Sequence, residues 1–226
     1  MPTHQTPFQG FPKETFSFLS DLSSNNRKVW FDAHKDWFRR VVEQPVQEFV
    51  SVMCTRLTHA FRDIKHLDAK IFRIHRDIRF SKDKTPYKTY IGIRFNEDAS
   101  KNCAAPFFYV QLEAERLLFA TGQKEFEGEA LDRYRMAVMD AESGRSLDTL
   151  VNKMRRGGAD LQGEQLHKVP RGYPADHARA DLLRFKGLYI ENCMPVTKQV
   201  YGPEFVGICL DQFLKGKPLY DWLKRL

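Results

Sequence analysis

The chain is poor in the features that most quickly announce a function. Its 226 residues hold only four cysteines, Cys54, Cys103, Cys193 and Cys209, spaced 49, 90 and 16 apart. No C-x-x-C pair occurs, which argues against structural zinc and a dithiol redox motif. Isolated thiols in a chain of this length fit a reducing, cytoplasmic setting, where most are simply small hydrophobes. The opening run Met1-Pro2-Thr3-His4-Gln5-Thr6-Pro7-Phe8 has no basic or apolar stretch, so no secretory signal is expected. No segment approaches the ~20 apolar residues of a membrane span. G-x-x-x-x-G-K-[ST], G-x-G-x-x-G and H-E-x-x-H are all missing, which removes the common nucleotide loops and one zinc motif. Repeats, low-complexity tracts and Pro/Gly/Ser linkers are also missing, so a single globular domain over 1–226 is expected. No cofactor and no metal are called for.

What is present is apolar, aromatic and basic. Hydrophobic residues make up 42% and aromatics 13%, enough for a packed core. The N-terminal third has helical periodicity. Phe16, Leu19 and Leu22 share a stripe, and Ser23-Ser24-Asn25-Asn26 breaks it and can cap a helix carrying Trp30, Phe31, Trp37 and Phe38. These rings read as core. Phe38, Val42, Val46, Phe49, Met53, Leu57 and Ala60 continue the helical spacing, with a kink or helix boundary expected at Pro45.

From Lys70 the period changes to two. Phe72, Ile74, Ile78 and Phe80 alternate with charged residues, Ile91, Ile93 and Phe95 follow, and then come Pro106–Leu112 and Leu117–Ala120, separated by the turn at Glu113–Arg116. Four strand-like runs without intervening helices predict an antiparallel meander. Phe72, Ile74, Ile78, Phe80, Ile91 and Ile93 should then share one buried face. Helical stripes return at Leu131–Val138 and Leu147–Met154, the latter stopped by Gly157-Gly158. Leu161–Val169 reads as a strand, Asp176–Phe185 as a short helix and Leu188–Met194 as a strand, and Pro203 opens a last helix. The predicted class is α+β, an antiparallel sheet covered by N-terminal and C-terminal helices.

Charge is the most uneven property. The net charge is +7, and Lys70–Arg94 alone holds eight cations against Asp77 and Asp83, or +6, leaving +1 for the other 201 residues. Two like charges ~7 Å apart repel by roughly 2 kcal/mol at an effective dielectric near 20. A fold that gathers Arg73, Arg79, Lys84 and Lys88 must offset that repulsion, and an anionic ligand would do so. Guanidinium forks and lysine point charges suit phosphate, and the hydroxyls of Ser81-Lys82-Asp83-Lys84-Thr85-Pro86-Tyr87-Lys88-Thr89 add neutral donors. Arg76 is out of phase with the alternation, so it is either structural or marks an irregular strand beside a site. Arg73 and Arg79 would lie ~20 Å apart on a regular strand. Arg76, Arg79, Lys84 and Lys88 are therefore expected to converge, with Arg73 further away or paired with a carboxylate.

The run Arg73-Ile-His-Arg76-Asp77-Ile-Arg79-Phe80, with Asp83-Lys84 and Tyr87-Lys88, resembles the signature of the bacterial DUF2461 family. Phe18-Leu19-x-Asp21-Leu22, Asn25-Asn26-Arg27-x-x-Trp30-Phe31, Pro106–Tyr109, Pro170-Arg171-Gly172-Tyr173 and Leu183-Arg184-x-Lys186 match it as well. Arg171 stands where the pattern has Lys. The resemblance runs from about Phe11 to Lys186 and implies no activity, cofactor or substrate.

The residues themselves support an uncharacterised cytoplasmic protein with a basic pocket for a phosphate-bearing or other anionic small molecule. Arg73, Arg76, Arg79, Lys84 and Lys88 are the candidate contacts. Asp77 would orient an arginine, the Tyr87 hydroxyl would close the edge, and Arg184 and Lys186 would complete the pocket. Three alternatives stay open. One is a phosphoester-processing enzyme with Asp77 or His75 as general base. Another is a nucleic-acid-binding module in which the same cations track a backbone. The last is a structural ion-pair network without ligand. A metal at His75 and Asp77 is disfavoured by the surrounding cations, and His177 reads as a loop or cap residue.

Overall fold

The structure is a computed structural model that describes residues 8–64, 66–97 and 105–226. The N-terminal run before Phe8 and Cys103 lie outside the described residues. The helices α1 (Lys13–Ser24), α2 (Lys28–Ala33), α3 (Lys35–Phe38) and α4 (Gln44–Ala60) come first. The strands β1 (Asp68–Ile71), β2 (Tyr90–Asn96), β3 (Phe107–Glu113) and β4 (Arg116–Gln123) follow. After α5 (Glu129–Met139) and α6 (Ala141–Arg156) come β5 (Asp160–Gln162), α7 (Ala180–Leu183), β6 (Leu188–Pro195) and α8 (Glu204–Lys224). The strands form one six-stranded antiparallel sheet in the order β1-β2-β3-β4-β6-β5. The architecture is α+β with helices at both termini, and the meander gains β5 and β6 on its far side.

The chain divides into two compact units. The first draws on Met1–Glu97, Tyr109–Leu118 and Cys193–Asp211. Its core gathers Phe11, Phe18, Leu19, Leu22, Val42, Phe49, Met53, Ile93, Phe95, Val110 and Phe205, all buried. The helical stripe runs through Pro45 by an unusual route. A π-turn over Arg39–Glu43 precedes α4, and Pro45 sits in its first turn. Proline has no N–H to offer the Val41 carbonyl four residues back. That carbonyl instead accepts from the hydroxyl of Thr15, itself fully buried. The asparagines before α2 do not cap it. Asn25 Nδ2 donates to Asp21 O at 2.9 Å at the end of α1, and Asn26 is used elsewhere.

The second unit draws on Asp98–Phe108, Phe119–Asn192 and Gln212–Leu226. Tyr134, Val138, Leu147, Val151, Leu183, Leu188, Leu219 and Trp222 form its core. Asp140 caps α6 by accepting from the N–H groups of Glu142 and Ser143 at 3.1 and 2.7 Å. Gly158, at φ +85°, follows its end. Two expectations shrink in this region. The strand expected over Leu161–Val169 is only β5 plus a bridge from Gln165 to Phe185. The helix expected over Asp176–Phe185 is only the single turn α7. The His177 ring accepts from the Arg179 N–H at 3.0 Å, a side-chain substitute for a helical bond.

Burial pushes the Cys54 thiol up to about 11 and that of Cys209 well above its ordinary value, so both are held as unreactive thiols. No helix among the described residues is long and apolar enough to cross a membrane.

Candidate functional site

The basic segment does not continue β1 as a strand. Pairing with β2 runs from Asp68 opposite Asn96 to Ile71 opposite Ile93, and one more bond joins Phe72 N–H to Gly92 O at 2.9 Å. The chain then leaves the sheet edge and returns as a narrow hairpin. Lys88 N–H donates to Ile74 O at 2.7 Å, Arg76 N–H donates to Pro86 O at 2.8 Å, and His75 faces Tyr87 between them. Residues 77–85 form the loop beyond this neck. The expected buried face is corrected accordingly. Ile74, Ile91 and Ile93 are buried and Phe72 and Ile78 half-buried, but Phe80 is 96% exposed. It lies in the loop, past the last bridge, where no alternation is imposed.

Two contacts attach the neck to the helices. Asn26 accepts from Tyr87 N–H at 3.1 Å and donates to Tyr87 O at 2.9 Å, so its amide acts as a one-residue strand partner. The Tyr87 ring stacks on Phe31 with centroids 4.2 Å apart and planes 19° apart. Tyr87 is therefore an anchor in the core, and it also lines a cavity beside the hairpin. Its exposure is only 3%, and burial raises its pKa, with Asp32 adding to the effect.

Within the loop, the cations expected at the ligand make contacts inside the chain. The Arg76 guanidinium donates to Asp83, to the Thr85 hydroxyl and, at 3.5 Å, to Ser81. Arg79 grips Asp77 bidentately at 2.9 and 2.7 Å. Lys84 Nζ donates to Ile78 O at 2.9 Å. Lys88 Nζ sits 5.5 and 5.8 Å from the ring centroids of Phe72 and Tyr90, within cation–π range.

The segment faces two cavities. One, of about 500 Å³, is lined by Arg76, Asp77, Asp83, Thr85, Lys88 and Thr89, with Ser23 and Asn26 at the end of α1 contributing. The other, of about 440 Å³, is lined by Arg73 and His75 with Lys35, Arg39, Glu43 and Gln47 from α3, the π-turn and α4. Of the four cations expected to converge, Arg76 and Lys88 share a cavity, while Arg79 and Lys84 are tied to Asp77 and Ile78 O. Arg73 lines the other cavity. His75 and Asp77 are divided between the two. Arg184 and Lys186 belong to the second unit, where Arg184 donates to Leu166 O at 2.8 Å and reaches Asp181, and Lys186 pairs with Glu164. No cluster of three His, Cys, Asp or Glu side chains suited to a metal occurs among the described residues. Thr89 belongs to the donor-rich run read from the sequence, whereas Ser23 was read only as part of a helix-capping run, because an uncharged donor there leaves no ligand pattern.

The ion pairs set the protonation of the loop. The Arg76 guanidinium, then the Thr85 N–H and hydroxyl, hold the Asp83 carboxyl down at about 2. Arg79 likewise lowers Asp77, and is itself raised. An unfolded Asp titrates near 3.9. The stabilisation Asp83 gives is therefore present above about pH 4 and lost as pH falls toward 2. In carboxyl-carbon NMR, Asp83 is expected to titrate near 2 and to move toward 4 in Arg76→Gln. A midpoint already near 4 in the unaltered protein would contradict the pairing.

These features define an α+β protein whose antiparallel sheet carries, at one edge, a basic hairpin pinned to the N-terminal helices. The chain belongs to the DUF2461 family. The family model, described as a conserved hypothetical protein, matches residues 14–222 of the 226. No curated protein matches the chain.

Proposed function

We propose that the 500 Å³ cavity beside the hairpin binds a phosphate-bearing or other anionic small molecule. What supports this reading most is that Lys88 and Arg76 line one cavity with the hydroxyl residues Ser23 and Thr89, beside Asp77 and Asp83. Two cations with neutral donors around them suit phosphate oxygens. Both carboxylates of the segment are engaged by Arg76 and Arg79. Lys88 and Arg76 are the proposed contacts, and an incoming anion shares Arg76 with Asp83. Arg79 and Lys84 shape the loop and do not touch the ligand. The three described cysteines, all free thiols, agree with a cytoplasmic protein.

The ion-pair network without ligand is favoured by one observation, the Arg76–Asp83 and Arg79–Asp77 pairs. The enzyme reading is weaker. Asp77, held low by Arg79, is a poor base at neutral pH.

Phosphate, pyrophosphate and a nucleoside triphosphate, each compared with chloride at matched ionic strength, separate these readings. An anion at ~100 times its Kd adds about 2.7 kcal/mol. In a chain of this length that raises the melting temperature by roughly 5–10 °C. Lys88→Gln should weaken binding about tenfold and Arg79→Gln should not. A flat response to all three anions would overturn the proposal in favour of the network.

A further inference from the structure

We infer that the second unit holds a separate site, for a small apolar acid such as a medium-chain or aryl carboxylate. A cavity of about 450 Å³ lies among β4, β6, α6 and α8. Its walls are Phe119, Leu150, Met154, Ile190, Leu214 and Pro218. The volume and the mainly apolar lining are those of a small-molecule site rather than a packing defect.

The polar groups that interrupt this lining are few and placed as a head-group site. Thr121 is 98% buried and lines the cavity, so its hydroxyl is a polar group set in an otherwise apolar wall. Close packing against α8 holds Thr121 in place, since a Cβ at Gly216 would fall 2.4 Å from its Oγ1. Asn192 donates to Gln212 Oε1 at 2.9 Å, which leaves the Asn192 carbonyl and the Gln212 amino group available to the cavity. Lys153 and Lys215 also line the cavity, are exposed, and face no carboxylate among the described residues. Apolar walls select an apolar body, and two lysines with a hydroxyl donor select an anionic head.

Isothermal titration with decanoate and with decanol tests this. Decanoate should bind saturably and more tightly than decanol. Leu214→Trp, at a position already 45% exposed and so tolerant of change, should fill the cavity and weaken decanoate at least about tenfold. The double change Lys153→Gln with Lys215→Gln should weaken decanoate about threefold to tenfold and leave decanol unaltered. Absence of saturable decanoate binding, or equal binding to Leu214→Trp, would overturn the site. Equal affinity for decanol and decanoate would overturn the anionic head. The anion panel for the hairpin cavity is read independently of either result.

Discussion

Phe31→Ala is expected to destabilise the protein by about 3–5 kcal/mol, as truncation of a buried Phe does, and to loosen the basic hairpin at the same time. Phe31 is 3% exposed and joins the helical core to the hairpin. On one side its ring meets Phe38 at 5.3 Å and Phe18 at 6.3 Å, and Phe18 in turn contacts Trp30 and Trp37. On the other it stacks on Tyr87 and meets the edge of His75 at 5.8 Å. Removing it leaves Tyr87 held mainly by the Asn26 amide. Urea unfolding gives the stability, and hydrogen exchange at the Arg76 and Lys88 amides reports the hairpin neck. Val29→Ala, at an 83% exposed position nearby, should stay within about 0.5 kcal/mol. A loss under about 1 kcal/mol with unchanged exchange would mean that the hairpin stands without this contact.

That coupling explains which parts of the chain could be read in advance. Strand β3 buries one face, so Phe108, Val110 and Leu112 declare themselves, whereas β2 is buried on both faces and Ile91, Ile93 and Phe95 stand out because Gly92, Arg94 and Asn96 fill the alternate positions. Glu113–Arg116 was legible as a turn, and Arg116 closes it onto Glu113 at 2.8 Å. The stretch Phe72–Phe80 has the same alternation but leaves β2 after Phe72 and pairs only through the short neck between residues 74–76 and 86–88. Its apparent period reflects a core-facing Ile74, a half-buried Ile78 and a fully exposed Phe80. Arg76, the residue that broke the pattern, is the one that organises the loop.

The candidate site was legible as charge and not as geometry. Composition locates eight cations and two aspartates, but not which arginine each aspartate will take. That choice is made by the neck bonds at residues 74–76 and 86–88, which place Asp83 and Thr85 against Arg76. The π-turn leaves no mark in apolar spacing either. Its cause is the missing N–H of Pro45 and its remedy is Thr15, 26 residues earlier than Val41.

The second large effect is expected at Gly144, in the first turn of α6. A Cβ there would lie 2.1 Å from the Val138 carbonyl oxygen and 2.6 Å from Arg179 Nε. Arg179 occupies this space because α5 ends just before α6 begins, leaving terminal carbonyls without helical donors. Its Nε donates to Val138 O at 2.7 Å, and Nη2 donates to Met139 O and Asp140 O at 3.2 and 3.1 Å. Gly144→Ala must move the carbonyl or the guanidinium. Overpacking costs about 1–3 kcal/mol, and loss of hydrogen bonds from a charged donor costs about 1.5–3 kcal/mol. The combined cost should be about 3–5 kcal/mol, against about 1.5–3 kcal/mol for Arg179→Gln alone. If displacement of Arg179 carries part of the effect, the double variant should be less destabilised than the two single costs together, by about 1–2 kcal/mol. Strict additivity in urea unfolding would instead place the whole clash on the Val138 carbonyl.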